Sequence, residues 1–149
     1  MTLYLAILAH FVGDYLLQSD WMAREKTHAN LPALAHALTY TVPFLLLTRS
    51  IPALLLIGGT HFLIDRFRLA RYVCWAKNWL APWPICLDGT FCGARTEHKP
   101  HRVPPTKPWR DCAATGYDPD RPLWLTLWLL IITDNTLHVI CNTVALTFG

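Results

Sequence analysis

Three aspartates lie within apolar stretches of the sequence or at their edges, and each has a histidine four residues away. The pairs are His10/Asp14, His61/Asp65 and Asp134/His138. Residues four apart on a helix share a face, with Cβ atoms about 5 to 6 Å from each other. Random placement of 7 histidines gives an aspartate such a neighbour with a chance of roughly 0.09, so three of three is roughly one in a thousand. Each pair is therefore predicted to direct an imidazole and a carboxylate at one point.

Histidine and aspartate side chains that converge from several helices are typical of a metal site with mixed nitrogen and oxygen ligands. The predicted ligands are His10, Asp14, His36, His61, Asp65, Asp134 and His138. They are sufficient for one divalent ion, Zn, Mn or Fe, or for two ions with open positions. The amides of Gln18, Asn135 and Asn142 are predicted to orient these ligands through hydrogen bonds. The predicted catalytic carboxylates are Asp14, Asp65 and Asp134, one of them left to act as a general base.

The same side chains have three other interpretations. Ionisable residues inside a membrane are costly and usually functional, but that function can be proton relay or ion transport. Hydrogen-bonded His/Asp pairs can also hold a helical bundle together, and facing histidines can bind haem. A haem site does not require an aspartate beside each histidine, so the pairs favour a metal ion with hard ligands.

Four apolar segments must position these residues, and they predict the fold. Only 15% of the 149 residues are charged, while 53% are hydrophobic; a soluble domain has about 25% charged residues. Helices are predicted at about 3–22, 31–48, 51–75 and 122–148, with a kink at Pro43. The expected fold is all-α: a single membrane domain, 1–149, in which about four transmembrane helices form a compact bundle.

Positive charge is concentrated in two of the connections between these segments. Of the 13 Lys and Arg residues, 12 lie in 19–30 or 66–121, and Arg49 is the exception. Because basic loops stay in the cytoplasm, this distribution predicts a multi-pass protein of the bacterial inner membrane with both termini outside. The loop at about 76–121 is predicted to be irregular and cytoplasmic. The basic and aromatic stretch before it predicts an interfacial amphipathic helix.

Two further sites are predicted near that loop. Arg66 and Arg68 directly follow Asp65, which places a guanidinium where it can bind a substrate phosphate or a lipid headgroup. The candidate ligands of a structural zinc site are Cys86, Cys92, His98, His101 and Cys112. Their spacing matches no standard zinc finger, and free thiols are the default for cytoplasmic cysteines. A net charge of +3 without a recognisable motif argues against nucleic-acid binding.

Several motifs resemble those of a known family. They are AHFVGDYLLQSDWMAREK (9–26), the single His36, THFLIDRFRLA (60–70) and TDNTLH (133–138). Together they resemble the family filed as domain of unknown function 3307, found in bacteria and phages, and the long loop resembles an insertion carried by phage copies. The resemblance implies a multi-pass membrane protein with His/Asp motifs and no established activity. A looser similarity in layout, by analogy only, links it to membrane-bound metal-dependent hydrolases.

The expected function is that of a membrane-embedded, metal-dependent hydrolase with a site open to the cytoplasm. Its partners are the lipid bilayer and a lipid or phosphorylated small-molecule substrate, and oligomerisation is left open. The alternatives are a small transporter or proton pathway using the same groups, and a non-catalytic phage membrane factor acting on a host membrane protein. Metal content separates the hydrolase from a simple proton relay.

Overall fold

The computed structural model of the protein describes residues 2–81, 85–86, 101–102 and 106–148. Its helices are α1 (Thr2–Phe11), α2 (Asp20–Glu25), α3 (Asn30–Thr41), α4 (Ile51–Phe67), α5 (Leu69–Trp79), α6 (Trp109–Cys112) and α7 (Leu123–Phe148). A two-residue antiparallel pair, β1 (Ile85–Cys86) and β2 (His101–Arg102), lies between α5 and α6 in sequence. The chain divides into a first unit, Met1–Ala70 with Ile131–Gly149, and a second unit, Arg71–Leu130.

The first apolar segment forms two helices where one was predicted over 3–22. After α1 the chain makes a π-helical turn, Val12–Leu16, in which the Leu17 N–H donates to the Val12 carbonyl at 3.0 Å. Ser19 then caps α2, because its hydroxyl accepts a hydrogen bond from the Met22 N–H. The chain therefore changes direction between the π turn and α2.

The second and third apolar segments are also interrupted. α3 ends at Thr41 and passes into a 3-10 turn, Val42–Leu46, which contains Pro43 and its missing N–H donor. Ser50 caps α4 by accepting from the Ala53 N–H. α4 ends at Phe67 because Arg68 adopts the left-handed conformation (φ 51°). The helix predicted over 51–75 is thus divided into α4 and α5.

Among the described residues, one helix, α7, is long and apolar enough to cross a membrane. The predicted polytopic bundle of about four transmembrane helices is therefore wrong. The interruptions above leave the other helices of the first unit at 17 residues or fewer, short of the ~20 that span a bilayer. The multi-pass topology and the placement of both termini outside were inferred from this bundle, and they are not supported either. The fold is helical apart from β1 and β2.

The basic and aromatic stretch before the predicted loop forms α5, and part of the segment after α5 packs against this helix. In the second unit, α5 packs against it: Trp75 Nε1 donates to the Lys107 carbonyl at 3.1 Å, and Tyr72 stacks on Trp109 with ring centroids 4.5 Å apart. Gly116 has a positive φ of 79°, and a Cβ there would lie 2.0 Å from the Arg71 carbonyl oxygen. Tyr72 and Trp75 of α5 thus contact protein, and an interfacial location of α5 stays a prediction.

The first unit has a small apolar core at one end of its helices. The core residues are Ala9, Tyr40, Phe44, Ile57 and Ala145. Many other apolar side chains remain exposed, among them Leu16, Leu46 and Leu55. An apolar groove of about 750 Å³ runs between α3 and α4 and ends at Asn30. Apolar surface of this extent is typical of proteins that contact a membrane or a partner.

Candidate metal centre

Four ligand atoms from three parts of the first unit converge at one point. Asp14 belongs to the π turn, His36 to α3, and His61 and Asp65 to successive turns of α4. His36 and His61 are almost completely buried, and Asp65 is 5% exposed. We call this set the four-ligand group. The α4 pair follows the predicted spacing of four residues, which places both side chains on the face that α4 turns inwards.

The separations within the four-ligand group match a single tetrahedral ion. Nε2 of His36 lies 3.0 Å from Nε2 of His61, 3.1 Å from Asp14 Oδ1 and 3.2 Å from Asp65 Oδ2. Nε2 of His61 lies 3.4 Å from Asp14 Oδ1 and 3.0 Å from Asp65 Oδ2. Ligands about 2.0 Å from a tetrahedral ion are about 3.3 Å from one another. A divalent cation therefore fits among these atoms.

A second set of ligand atoms shares Asp65 with the first. Nε2 of His138 lies 3.5 Å from Asp65 Oδ1 and 3.5 Å from Asp134 Oδ2, and it is buried without a hydrogen-bond partner. We call Asp65, Asp134 and His138 the three-ligand group. The two oxygens of Asp65 thus face different groups, Oδ2 the first and Oδ1 the second. A carboxylate in this position can bridge two cations.

The electrostatics of the four-ligand group favour ionised carboxylates. Burial raises the pKa of Asp65, but the adjacent imidazoles of His138, His36 and His61 outweigh it and hold that pKa well below its usual range. Burial lowers the pKa of His61 to about 4, against the raising effect of Asp65. Deprotonated carboxylates and a neutral imidazole are the forms that bind a metal.

His10 lies beside these groups and belongs to neither. Its Nδ1 lies 3.0 Å from the Tyr40 hydroxyl and 3.2 Å from Asp14 Oδ2, while its Nε2 lies 2.8 Å from Asn135 Oδ1. Both ring nitrogens are therefore engaged by protein atoms. In this arrangement Nδ1 of His10 lies beside Tyr40 and Asp14, whose other oxygen faces His36 and His61. His10 was predicted to be a direct ligand, but this geometry places it next to the ligands with both nitrogens in contact with protein atoms.

Tyr40 is a residue of the centre that the sequence analysis missed. Its hydroxyl accepts from Asn142 Nδ2 at 2.6 Å, and its ring stacks on His61 with centroids 3.5 Å apart. Nδ1 of His36 and of His61 is buried without a hydrogen-bond partner, so stacking and packing orient these rings. Tyr40 follows His36 by four residues, the same spacing that revealed the His/Asp pairs.

Gly13 makes room for Tyr40 next to the π turn. A Cβ at Gly13 would lie 2.5 Å from Tyr40 Cδ2, closer than carbon atoms can approach. The π turn carries Gly13 and Asp14 inwards together, and π-helical turns are frequent at functional sites. Gly13 therefore allows Tyr40 to pack against the π turn that places Asp14.

The predicted amides lie behind the ligands. Asn142 bonds to Tyr40, and Asn135 accepts from His10 and donates to the Tyr15 hydroxyl at 3.0 Å. Gln18 Oε1 accepts from Lys26 Nζ at 3.4 Å. Lys26, which the sequence analysis did not select, also donates to Asp65 Oδ2 at 2.9 Å. Lys26 is the last residue of the motif at 9–26 that carries the family resemblance, and this position was the sequence signal that could have identified it.

The two arginines predicted to bind phosphate have structural roles around α4. Arg66 Nε donates to Asn30 Oδ1 and Arg66 Nη1 to the Thr27 carbonyl, each at 2.7 Å. These bonds fasten the connection between α2 and α3 to α4. Arg68 ends α4 in its left-handed conformation. Phosphate binding by either residue stays a prediction.

The predicted zinc site in the loop falls largely on residues without described side chains. Cys92 and His98 lie outside the described residues, and Cys86 and His101 are described by backbone alone, opposite each other in the β1–β2 pair. Cys112 is buried, with its thiol donating to the Lys107 carbonyl at 3.5 Å. Among the described side chains, Cys112 joins no group of metal ligands.

Comparison with known proteins identifies a family. The sequence model of a family described as a protein of unknown function (DUF3307) matches residues 2–83, more than half of the chain. No curated protein matches the chain, and no solved structure matches it. The matched segment contains the whole four-ligand group, whereas Asp134 and His138 lie beyond it. The chain belongs to the DUF3307 family, as the resemblance in its motifs predicted.

Proposed function

We propose that this protein is a metal-dependent hydrolase that acts on a phosphorylated substrate at a membrane. The observation that supports it best is the four-ligand group, whose five measured separations of 3.0 to 3.4 Å fit one tetrahedral divalent ion. Two buried carboxylates are costly unless cations neutralise them, and one divalent ion would neutralise both. Zn, Mn and Fe all suit the mixed ligands.

In this proposal the four-ligand group binds the ion, and Asp134 of the three-ligand group takes part in the reaction. A bound ion supplies a Lewis acid for a phosphoryl oxygen. Asp134 has the most exposed side chain of the ligands, at 31% against 10% or less for the others. It is therefore the carboxylate best placed to take the proton from an attacking water as general base. The water oxygen forms a bond to phosphorus, the ester bond breaks, and the leaving oxygen takes up the proton that Asp134 received.

The exposed apolar surface supports the membrane part of the proposal. α7 is long and apolar enough to cross a bilayer. The groove between α3 and α4 is lined mainly by leucine, isoleucine, valine and phenylalanine side chains, together with small residues, Thr41 and Asn30. A hydrocarbon chain can occupy such a groove without desolvating polar groups. A substrate with a phosphate and a lipid chain fits both features.

A proton pathway is the second candidate, and a specific observation favours it. Hydrogen bonds continue from Asp14 through His10 to Tyr40 and Asn142. Chains of this kind can carry protons without any metal. Metal content therefore separates the two candidates.

The test begins with protein purified without chelators and analysed for bound metals by mass spectrometry. We expect at least one divalent ion per chain in the wild type and the loss of the tightly held ion in His61→Ala. The metal-loaded protein is then assayed for phosphate release from phosphatidic acid and from an isoprenyl diphosphate in detergent. Metal without turnover of either would count against the hydrolase, and a metal-free wild type would favour the proton pathway.

A further inference from the structure

Lys26 occupies a place in the centre that the ligand groups alone do not explain. It lies just after α2, and its side chain is 17% exposed, whereas Asp65, which it contacts, is 4% exposed. Its Nζ donates to Asp65 Oδ2 at 2.9 Å and to Gln18 Oε1 at 3.4 Å, and lies 3.4 Å from His36 Nε2. The ammonium thus sits at one edge of the four-ligand group, between the buried ligands and solvent.

The third hydrogen-bond donor of Lys26 becomes available when a metal binds. An ammonium has three N–H donors, and the Nζ of Lys26 lies within 3.4 Å of Asp65 Oδ2, Gln18 Oε1 and His36 Nε2. If His36 Nε2 held a metal ion through its lone pair, it could not accept a hydrogen bond from Lys26. The bonds to the two oxygens can persist, because each oxygen has more than one lone pair. One N–H of Lys26 is then left without an acceptor at the exposed edge.

The charge of the centre points to the kind of acceptor that replaces His36. The two carboxylates of the four-ligand group neutralise one divalent ion, so the Lys26 ammonium adds a positive charge in excess. A second divalent ion in the three-ligand group would increase this excess of positive charge. That group adds one further carboxylate, Asp134, whose single negative charge does not neutralise a divalent ion. A partly buried, net positive site attracts an anion.

We propose that Lys26 binds the anionic phosphate group of the substrate, next to the ion held by the four-ligand group. This inference rests on the proposed function and narrows its substrate class, because an uncharged lipid ester would leave the net positive charge of the metal-loaded centre without a counterion. Gln18 and Asp65 position the ammonium, so Gln18 affects substrate specificity through Lys26. Arg66 is not required for this role, since its Nε and Nη1 already bind Asn30 and Thr27.

The experiment measures binding of inorganic phosphate to the metal-loaded protein by isothermal titration calorimetry. Lys26→Met keeps the length and apolar stem of the side chain and removes the charge. We expect it to weaken phosphate binding at least about tenfold, since hydrogen bonds to charged groups are the strong ones. Lys26→Arg, which keeps the charge, should bind phosphate within about threefold of the wild type, since charge and donors are retained.

The matched control is Arg24→Met, which removes one positive charge from the neighbouring α2. Arg24 is exposed and pairs with Asp20 at the surface, so its loss should leave phosphate binding unchanged. Metal content is measured on every sample. Unchanged phosphate binding by metal-loaded Lys26→Met overturns this inference while the metal site stands. A wild type without metal overturns the proposed function and this inference together.

A second measurement needs no variant and covers the case in which Lys26→Met does not fold. Metal-loaded wild type is treated with acetic anhydride, and the acetylation rate of each lysine is followed by mass spectrometry. Phosphate should slow acetylation of Lys26 severalfold and leave Lys77 and Lys107 unaffected, whereas chloride at equal ionic strength should protect none of them. Acetylation of Lys26 at the same rate with and without phosphate overturns the inference.

Discussion

The two ligand groups share Asp65 but are built differently. In the four-ligand group all ligands are buried or nearly so, and they come from the π turn, α3 and α4. In the three-ligand group α7 supplies Asp134 and His138, and Asp134 is partly exposed. Structural metal sites in proteins are usually closed by four protein ligands, whereas catalytic sites keep a position open. The proposed function accordingly assigns retention of the ion to the four-ligand group and general-base catalysis to the partly exposed Asp134 of the three-ligand group.

The substitution Asp65→Asn should have the largest effect, because Asp65 contributes an oxygen to each group. We expect the purified variant to lose all bound metal, and phosphate release to disappear with it. Metal analysis by mass spectrometry measures this directly. Asp20→Asn is the control, since Asp20 pairs with Arg24 at the surface, and it should retain the wild-type metal content. Retention of wild-type metal content by Asp65→Asn would show that neither group is a metal site.

The next effect distinguishes the groups from each other. His61→Ala removes a ligand of the four-ligand group, and His138→Ala removes one of the three-ligand group. We expect His61→Ala to lose the tightly held ion, while His138→Ala keeps one ion per chain and loses turnover. Metal stoichiometry and phosphate release are measured on both. Equal loss of metal in the two variants would mean that the groups act as one site.

Gly13→Ala tests how the π turn supports the four-ligand group. The added Cβ would collide with Tyr40, and overpacking of this kind costs about 1–3 kcal/mol. Chemical denaturation measures the change in the free energy of unfolding. Gly59→Ala is the matched control, because a Cβ there meets no atom within 4 Å. Its helical position predicts a gain of about 0.5–1 kcal/mol, so equal effects at the two glycines would contradict the packing argument.

Tyr40→Phe should have the smallest effect and should act on the four-ligand group. It keeps the ring that stacks on His61 and removes the hydroxyl that bonds to His10 and Asn142. The Tyr40 hydroxyl orients His10, which lies beside the ligand Asp14. We expect loss of this hydroxyl to weaken metal binding about tenfold. Competition with a fluorescent chelator measures that affinity, and Tyr4→Phe, at an exposed position, serves as control. An unchanged affinity would show that the hydroxyl does not position Asp14 through His10.

Sequence spacing identified most of the centre. His61 and Asp65 lie on one helical turn, so their convergence follows from the 3.6-residue repeat of α4, and His138 relates to Asp134 in the same way. The limit of such local geometry is visible at His10. It is paired with Asp14 as expected, but Tyr40 and Asn135 engage its two nitrogens, and both partners are distant in sequence.

The sequence also misjudged the length of the helices. Hydropathy counts apolar residues and does not register where a helix stops, so the segments before and after Leu17, Pro43 and Arg68 were joined into spans. Backbone geometry ends them: a π turn with a capping serine, a proline without its N–H, and a left-handed residue. These breaks are short-range, but the conformation that each adopts depends on packing against other helices.

By itself the sequence determined which histidines and aspartates form pairs, because a spacing of four residues on a helix places them on one face whatever surrounds it. The tertiary structure alone decided their assignment: which oxygen of Asp65 faces which group, that His10 lies beside Asp14, and that Lys26 reaches the edge of the centre. Such pairings join residues that are far apart in the chain, and the packing of α1, α3, α4 and α7 sets their distances.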